Sequence, residues 1–262
     1  MNVSIIQMNM KFKDTDFNYK RAEELIREAA KNKPDVITFP ETFNTGFFPN
    51  VNIRQYCDVK GEKTKKMMSS LAKELNVNIV AGSATVLKDD KVYNTSYIYD
   101  RKGELVAEYD KVHLFSLMNE HEYYEHGNNI VNFELDGAKC SIAICYDIRF
   151  VEFIRTIALT GIDILFVVAQ WPLTRKLHWE VLNTSRAIEN QIYVVCTNSC
   201  GVAKDTIFGG HSAIISPVGD IISSGKDKEE IINGKLDLDM IKNVRNTINV
   251  YRDRIPDLYK IS

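Results

Sequence analysis

Short apolar runs alternate with helical periodicity through the first third of the chain. Residues 3–8, 36–39 and 78–82 are compact runs typical of buried strands. A helix ending near residue 32 separates the first two runs, and a second helix around residues 67–75 precedes the third. This alternation of strands and helices predicts an α/β fold with a parallel or mixed sheet.

The middle of the chain has a different pattern. Residues 93–99 and 105–109 flank the turn signal Asp100-Arg101-Lys102-Gly103, and together they predict a β-hairpin. Residues 110–129 then form a long loop that is rich in charged and aromatic side chains and has no clear period. Loops of this length inside a compact domain are more often functional than incidental, so we expect this loop to contribute to a site.

The alternation of strands and helices resumes in the second half of the chain. Residues 141–144 and 164–169 predict strands, with a helix over 151–159 between them and another strand over 192–197. No linker, low-complexity tract or fixed-period repeat interrupts the sequence, so we expect a single domain over residues 1–262. The remaining predicted strands are 213–216, 221–224 and 231–236.

A long helix is predicted from about residue 175 to residue 190. Its apolar residues Leu177, Val181 and Ile188 recur with Thr184 at helical spacing. We therefore expect these four side chains to form the inner face of the helix.

Composition and charge narrow the function classes. The 262 residues are 45% hydrophobic and 26% charged, and the formal net charge is -2. Without a dense run of Lys and Arg, nucleic acid and anionic membranes are not expected partners, and no apolar stretch approaches the length of a membrane span. We expect a small-molecule partner.

The cysteines and histidines suggest neither a disulfide framework nor a metal site. Five cysteines are few and odd in number, which favours a reducing compartment. The chain also enters a strand-like run at its start without a secretory pattern, so we expect a cytoplasmic protein. The histidines and cysteines lack the spacing of metal ligands, and we expect no metal.

Three chemically useful side chains lie after strand-like runs or in the long loop: Glu41, Lys111 and Cys145. Hydrolysis of an amide through a thioester needs a nucleophile, a proton shuttle and a positive group for the oxyanion. Each residue has an ordinary alternative, since an isolated Cys is usually a buried small hydrophobe and isolated Glu and Lys are usually solvated.

Three motifs together resemble one family. Pro40-Glu41-Thr42, Asp110-Lys111-Val112-His113-Leu114-Phe115 and Cys145-Tyr146-Asp147-Ile148-Arg149-Phe150, in this order, look like the nitrilase (carbon-nitrogen hydrolase) superfamily. The similarity covers nearly the whole chain. It implies a four-layer α-β-β-α sandwich with two central mixed β-sheets, and a homodimer formed through the helical layer that follows the nucleophile.

The resemblance also implies catalytic roles. Cys145 would be the nucleophile, Glu41 the general base, and Lys111 the cation that faces the tetrahedral oxyanion. The backbone N–H of Tyr146 would be the second oxyanion donor. No cofactor is implied.

Many family members carry a further Glu in the loop after the lysine. Counting back from Gly127 selects Glu120 over Glu122 and Glu125. A second carboxylate beside Glu41 would orient the lysine and raise one carboxyl pKa towards the value that a proton shuttle needs.

Within the superfamily, residues 111–127, 170–172 and 177–180 look most like the omega-amidases, which hydrolyse the terminal amide of 2-oxoglutaramate and 2-oxosuccinamate. Such substrates carry an anionic end. Arg149 is the candidate cation for it, since guanidinium binds carboxylate bidentately, although a structural pair with Asp147 or a loop carbonyl is the alternative. The candidate pocket walls are Phe43, Phe47 and Trp171.

Several alternatives to this function remain open. Another amidase of the superfamily, such as a deaminated glutathione amidase or an N-carbamoyl hydrolase, is the nearest one, and a nitrilase is a further possibility. A non-catalytic binding or scaffold protein of the same fold belongs to a different class. A redox-sensing role for Cys145 would need a resolving thiol, and Cys140 or Cys196 could lie nearby.

Overall fold

Two β-sheets form the centre of the molecule, with helices outside them. The computed structural model describes residues 1–259. The strands are β1 (Asn2–Gln7), β2 (Val36–Thr38), β3 (Asp58–Val59), β4 (Asn78–Val80), β5 (Ala84–Lys88), β6 (Lys91–Tyr99), β7 (Leu105–Asp110), β8 (Asn132–Leu135), β9 (Ala138–Ile144), β10 (Ile164–Ala169), β11 (Tyr193–Asn198), β12 (Cys200–Ala203), β13 (Thr206–Gly209), β14 (Ala213–Ile215), β15 (Ile221–Ser224) and β16 (Glu230–Lys235). The α-helices are α1 (Thr15–Ala30), α2 (Glu62–Leu75), α3 (Val151–Leu159), α4 (Lys176–Asn190) and α5 (Asp239–Thr247).

Both central sheets are mixed. The first has the strand order β16-β1-β2-β4-β6-β5-β3, with β7 also paired to β6. Its strands β1, β2 and β4 are parallel, whereas β16 and β6 run antiparallel to their neighbours. The second has the order β15-β14-β11-β10-β9-β8, with a parallel core of β9, β10 and β11. The strands β12 and β13 form a separate hairpin.

The two sheets pack face to face through their apolar side chains. Ile142 and Ile144 of β9 point into this inter-sheet core together with Ile5 of β1, whereas Ala143 points to the opposite face. This alternation follows from the two-residue period of a strand. Helices α1 and α2 cover the outer face of the first sheet, and α3 and α4 cover that of the second. The predicted four-layer α-β-β-α sandwich is thus confirmed.

Local sequence signals explain how α1 begins and packs. The side chain of Asp14 accepts a hydrogen bond from the N–H of Phe17 at 3.1 Å, which caps the first turn. The buried face carries Leu25, Ile26 and Ala29 against the first sheet. The predicted bounds of α3 and β10 agree with the structure.

The predicted inner face of α4 is wrong. Leu177, Val181 and Ile188 are 68%, 52% and 49% exposed, so this apolar stripe faces away from the protein's own sheet. The face that packs on the second sheet instead contains Trp179 and Ala187. Helical periodicity locates an apolar stripe, but it does not say which neighbour covers that stripe. The side chains that α4 buries are Trp179, Asn183, Arg186, Ala187 and Asn190.

Several elements were not predicted. These are the short strands β3 and β5, the hairpin β12–β13 and helix α5, which buries only Ile241 among its nine residues. The long loop contains two short 3₁₀ turns, Ser116–Met118 and Glu120–Glu122. These elements form through tertiary contacts that local periodicity does not encode.

Residues 1–259 contain neither a helix suited to span a membrane nor a cluster suited to bind a metal. No helix there is both long and apolar enough to cross a membrane. Within the same residues, no group of three or more His, Cys, Asp or Glu side chains is arranged to hold a metal ion.

Candidate active site

Three strands deliver the candidate catalytic side chains to one place. Glu41 comes shortly after β2, Lys111 directly follows β7, and Cys145 directly follows β9. Cys145 begins a 3₁₀ turn, Cys145–Arg149, and its φ of 49° lies in the left-handed region. A non-glycine residue is strained there, so the surrounding structure must hold it in place.

Asp147 holds this turn. Its buried carboxylate accepts hydrogen bonds from the N–H of Ile144 at 2.9 Å and from the hydroxyl of Tyr109 at 2.7 Å. It also accepts one from the N–H of His113 at 2.9 Å and contacts the Nδ1 of that residue at 2.8 Å. One carboxylate therefore joins the end of β9, the end of β7 and the segment after Lys111. Through these contacts His113 fixes the segment after Lys111.

The ammonium group of Lys111 lies between two carboxylates. Its Nζ is 3.0 Å from Oε1 of Glu41 and 2.9 and 3.0 Å from the two oxygens of Glu120. All three side chains are buried. Burial opposes the charge on Lys111, but Glu120 and Glu41 outweigh it and hold the pKa of this lysine well above its ordinary value. The lysine therefore stays charged at neutral pH.

Glu41 is fixed from two further sides. Its Oε1 accepts a hydrogen bond from the side-chain amide of Asn94 at 2.8 Å. Its Oε2 accepts one from the backbone N–H of Gln170 at 2.8 Å. Asn94 comes from β6 and Gln170 directly follows β10, so both central sheets position this carboxylate. Neither residue was among the sequence candidates for catalysis, since each lies in or after an ordinary strand.

Glu120 lies in the long loop, as the spacing from Gly127 suggested. Its Oε2 accepts a hydrogen bond from the N–H of Phe115 at 2.6 Å. Burial raises the pKa of Glu120, and the neighbouring charge of Glu41 adds to that effect while Lys111 opposes it. A carboxyl group in this environment can hold a proton more readily than one in water.

The thiol of Cys145 is neutral at rest. Burial raises the pKa of Cys145 well above its ordinary value, and the carboxylate of Glu41 raises it further, while the charge of Lys111 opposes the shift. Such a thiol becomes a nucleophile only when a base removes its proton. Glu41 is positioned to act as that base.

The long loop is closed at its base. The N–H of Gly127 donates to the carbonyl oxygen of Lys111 at 2.8 Å. A Cβ atom added at Gly127 would lie 2.1 Å from the carbonyl oxygen of Asp110, so only glycine fits against this strand end. The two ends of the loop are therefore fixed beside Lys111.

A small cavity opens above these side chains. The predicted site residues that line it are Glu41, Lys111, Glu120, Cys145, Phe47, Trp171, Tyr146 and Arg149. The edge of the Phe47 ring meets the ring of Phe208 from the β12–β13 hairpin, with 5.0 Å between the centroids. That hairpin, which was not predicted, thus supports one wall of the cavity.

The predicted place of Phe43 is wrong. This side chain is fully buried in the core between the first sheet and its helices. Its ring packs edge to face against Tyr19 and Phe39, with centroids 5.2 and 5.0 Å apart. Phe43 is absent from the cavity wall because it packs below the turn that carries Glu41.

Arg149 reaches the cavity, and it does not pair with Asp147. The hydrogen bonds of that carboxylate go to Tyr109, His113 and Ile144. The guanidinium of Arg149 instead lies over the ring of Trp171, with Cζ 4.7 Å from its centroid, and its Nη2 is 3.2 Å from Nδ1 of His178. This leaves Arg149 available for an anionic ligand.

Arg175 also lines the cavity and was missed by the sequence analysis. It ends the 3₁₀ turn Leu173–Arg175, immediately before α4. The sequence held no local signal for it, because its importance depends on being close to Arg149 in space.

The assembled groups suit attack on a carbonyl carbon. A thiol, a base and a buried cation meet at one point, which are the parts needed for nucleophilic acyl transfer. The second carboxylate, Glu120, holds the cation in place.

Comparisons with known proteins agree with this chemistry. The Carbon-nitrogen hydrolase family matches residues 2–246. The chain is 41% identical to the 2-oxoglutaramate amidase of Bacillus subtilis, over 98% of each protein. It is 32% identical to an omega-amidase of Xenopus tropicalis, over 93% of this chain and 91% of that protein.

The fold comparison gives the same result. A Saccharomyces cerevisiae protein of branch 10 of the nitrilase superfamily superimposes with a TM-score of 0.90 at 28% identity, over 97% of this chain and 96% of the other. Since both the sequence match and the fold match extend over nearly the full chain, this protein belongs to the carbon-nitrogen hydrolase family of the nitrilase superfamily and is a hydrolase of carbon–nitrogen bonds.

Proposed function

We propose that the protein hydrolyses the terminal amide of a 2-oxo dicarboxylic acid monoamide, such as 2-oxoglutaramate, to the 2-oxo acid and ammonia. The observation that supports this most strongly is the layout of the cavity, with a thiol, a base and a lysine at its bottom and Arg149 available for an anion. The similarity to the Bacillus subtilis 2-oxoglutaramate amidase adds support.

The first half of the reaction forms a thioester. Glu41 takes the proton from Cys145 while Sγ attacks the amide carbon, and the oxyanion that forms faces Nζ of Lys111 and the N–H of Tyr146. Glu41 then passes the proton to the nitrogen of the leaving group. The C–N bond breaks, ammonia leaves, and the acyl group remains on Sγ.

The second half releases the acid. Glu41 removes a proton from a water molecule, whose oxygen attacks the thioester carbon. The C–S bond breaks, Glu41 returns its proton to Sγ, and the carboxylic acid product leaves and ionises in solution. Throughout both halves Glu120 keeps Lys111 aimed at the oxyanion, since its two oxygens lie 2.9 and 3.0 Å from Nζ.

A substrate panel tests the proposal. Ammonia release is measured with 2-oxoglutaramate, an N-carbamoyl amino acid, deaminated glutathione and a simple nitrile. The highest kcat/KM is expected with 2-oxoglutaramate. Clear activity on another compound with none on 2-oxoglutaramate would replace the proposed substrate, and no activity on any of them would favour a binding or scaffold role.

A cysteine variant tests the mechanism. Cys145→Ala is expected to lower kcat by about 10⁴-fold or more, because it removes the only group that can form the thioester. Mass spectrometry of the wild-type protein, quenched during turnover, should show an acyl adduct on the peptide that contains Cys145. Cys57→Ala, a half-buried thiol outside the cavity, is the matched control and should retain activity. Turnover by Cys145→Ala at the wild-type rate would refute this mechanism.

We also propose a homodimer formed through α4. The exposed apolar side chains Leu177, Val181 and Ile188 form a stripe on that helix, and Ile221 of β15 is exposed as well. Burying such a stripe between two copies removes apolar surface from water. Light scattering should give twice the chain mass, and Val181→Lys should give a monomer; a monomeric wild type would refute this proposal.

We also propose the class of partner, the cellular location and the domain organisation that the sequence predicts. A small-molecule amide as the partner, with neither nucleic acid nor a membrane, agrees with the small cavity and the net charge of -2. A cytoplasmic location agrees with five unpaired cysteines. Contacts between both sheets in one shared core support a single domain over residues 1–262.

A further inference from the structure

Two guanidinium groups line the mouth of the cavity. Arg149 comes from the turn that begins with Cys145, and Arg175 comes from the turn before α4. Both side chains are half-buried, and neither forms an ion pair with a carboxylate within residues 1–259. Burial and the charge of Arg175 lower the pKa of Arg149. Two like charges that line one cavity repel each other, and an anion bound between them would relieve that repulsion.

Aromatic rings hold both groups in place. Cζ of Arg149 lies 4.7 Å from the ring centroid of Trp171, and Cζ of Arg175 lies 5.4 Å from that of Phe115. The indole N–H of Trp171 donates to the backbone oxygen of Arg175 at 2.8 Å, which links the two supports. Stacking of this kind fixes the guanidinium plane while its N–H edge remains available for a ligand.

The charges of the cavity are arranged in two layers. Glu41 and Glu120 surround the single positive charge of Lys111 at the bottom, which leaves that layer negative when both carboxylates are ionised. The two arginines make the mouth positive. An amide with an anionic far end would lie with its amide at Cys145 and its anion at the mouth, and the reverse orientation would place like charges together.

We propose that Arg149 and Arg175 together bind the carboxylate and the neighbouring 2-oxo oxygen of the substrate, and that Arg175 is a specificity-determining residue for amides with this anionic end. Each guanidinium presents a planar fork of N–H donors, and a 2-oxo carboxylate presents three oxygens to receive them. This inference rests on the proposed function for the identity of the substrate.

The test separates charge recognition from chemistry. For Arg175→Gln, KM with 2-oxoglutaramate is expected to rise about 10- to 100-fold with little change in kcat, because charge-assisted hydrogen bonds are lost. With pentanamide, a neutral amide of five carbons, kcat/KM should stay within about twofold. Arg175→Lys should recover part of the loss and also guards against misfolding of the Gln variant. Equal losses on both amides, or no loss on either, would overturn the inference.

A control variant and an inhibition measurement test the role of Arg175 further. Lys176→Gln removes the adjacent positive charge outside the cavity, and its KM should match that of the wild type. 2-Oxopentanoate, which carries the 2-oxo carboxylate but no amide, should inhibit competitively, and its Ki should rise in Arg175→Gln by a factor similar to that for KM. An unchanged Ki would count against binding by Arg175.

The inference and the proposed function can fail separately. If the wild type does not hydrolyse 2-oxoglutaramate but acts on another carboxylate-bearing amide, the proposed function is wrong. The comparison is then repeated with that amide and its neutral analogue. If the wild type hydrolyses 2-oxoglutaramate and Arg175→Gln treats anionic and neutral amides alike, only the inference is wrong.

Discussion

The bottom and the mouth of the cavity differ in whether their charged side chains are paired with opposite charges within residues 1–259. At the bottom, Lys111 makes short hydrogen bonds to Glu41 and Glu120, and each carboxylate accepts a further hydrogen bond from the surrounding chain. At the mouth, Arg149 and Arg175 are supported by aromatic rings and have no carboxylate partner within residues 1–259.

The difference indicates what each layer does. Charges that the protein compensates internally are held in a fixed geometry, which suits groups that act on a transition state. Charges left uncompensated gain most from an incoming ligand of opposite sign. Changes at the bottom should therefore lower kcat, and changes at the mouth should raise KM.

Among changes to the charged groups of the two layers, the largest effect is expected from Lys111→Met. Removing the cation leaves Glu41 and Glu120 facing each other in a buried site, which should destabilise the fold by about 3–5 kcal/mol. Loss of the oxyanion partner should also lower kcat by about 10²- to 10³-fold. Urea denaturation and steady-state kinetics measure the two effects.

A lysine near the surface provides the matched control. Lys88 also pairs with two carboxylates, Glu108 and Asp110, but its side chain is 20% exposed against 3% for Lys111. Lys88→Met should lower stability by about 1 kcal/mol or less and leave kcat unchanged. If Lys88→Met and Lys111→Met lost similar amounts of stability and of kcat, the buried ion pairs of Lys111 would be no more important than ordinary surface pairs.

A smaller effect is expected from Glu120→Gln. The amide keeps the shape of the side chain but removes the charge that positions Lys111, so kcat should fall about 10²-fold with KM within about twofold. Glu122→Gln alters the exposed carboxylate of the same 3₁₀ turn and is the control. If the two variants had equal kcat values, Glu120 would have no positioning role.

Ionic strength should affect the mouth more than the bottom. Raising NaCl from about 50 to 500 mM should increase KM for an anionic amide about two- to fivefold, because salt screens the half-buried arginines. The kcat should change little, since the ion pairs of Lys111 are buried. An equal salt dependence of KM for pentanamide would show that the effect does not arise from substrate charge.

The smallest change is expected in the rate at which iodoacetamide alkylates Cys145 when the pH is varied. A thiol of ordinary pKa reacts about tenfold faster per pH unit below that pKa, since the thiolate is the reactive form. The raised pKa of Cys145 keeps the thiolate fraction very low at neutral pH, so reaction has to proceed by proton transfer to Glu41. Between about pH 6.5 and 8.0 the iodoacetamide rate should therefore vary less than about twofold.

The urea-unfolded protein is the reference for that measurement. Its cysteines should show the ordinary rise in rate with pH when their peptides are followed by mass spectrometry. The same steep rise at Cys145 in the folded protein would show that free thiolate reacts, and it would contradict proton transfer to Glu41.

Much of the fold could be predicted from the sequence because strands and helices leave local patterns. The apolar run of β10 and the apolar spacing of α3 predicted correct bounds, because the apolar residues of both elements pack in the core of this chain. The spacing of α4 located a real apolar stripe and assigned it to the wrong side. Periodicity reports that Leu177 and Val181 share a face, but not what lies opposite that face.

The candidate site was predictable to the extent that its parts lie in sequence motifs. Glu41, Lys111 and Cys145 each follow a strand in a recognisable motif, and the structure brings all three to one cavity. Asn94 and Arg175 could not be found in this way, because their partners are distant in the sequence and no local pattern marks them. Phe43 was misplaced because an aromatic residue after a strand can pack inward or outward.

The hydrogen bond between Gly127 and Lys111 makes the long loop a structural unit whose interior can vary independently of the strands beside it. Because its two ends are held together independently of its interior, the residues between them can change in sequence or number without displacing the lysine, provided that Glu120 is retained. Leu117, 76% exposed, is a natural point of substitution, whereas insertions belong between Glu120 and Gly127, because the N–H of Phe115 binds the Glu120 carboxylate. Loop-closure entropy grows only slowly with length, so such insertions should be tolerated thermodynamically. This segment is thus a place where natural variation, or a designer, could alter the range of amides accepted while the hydrolytic machinery stays intact.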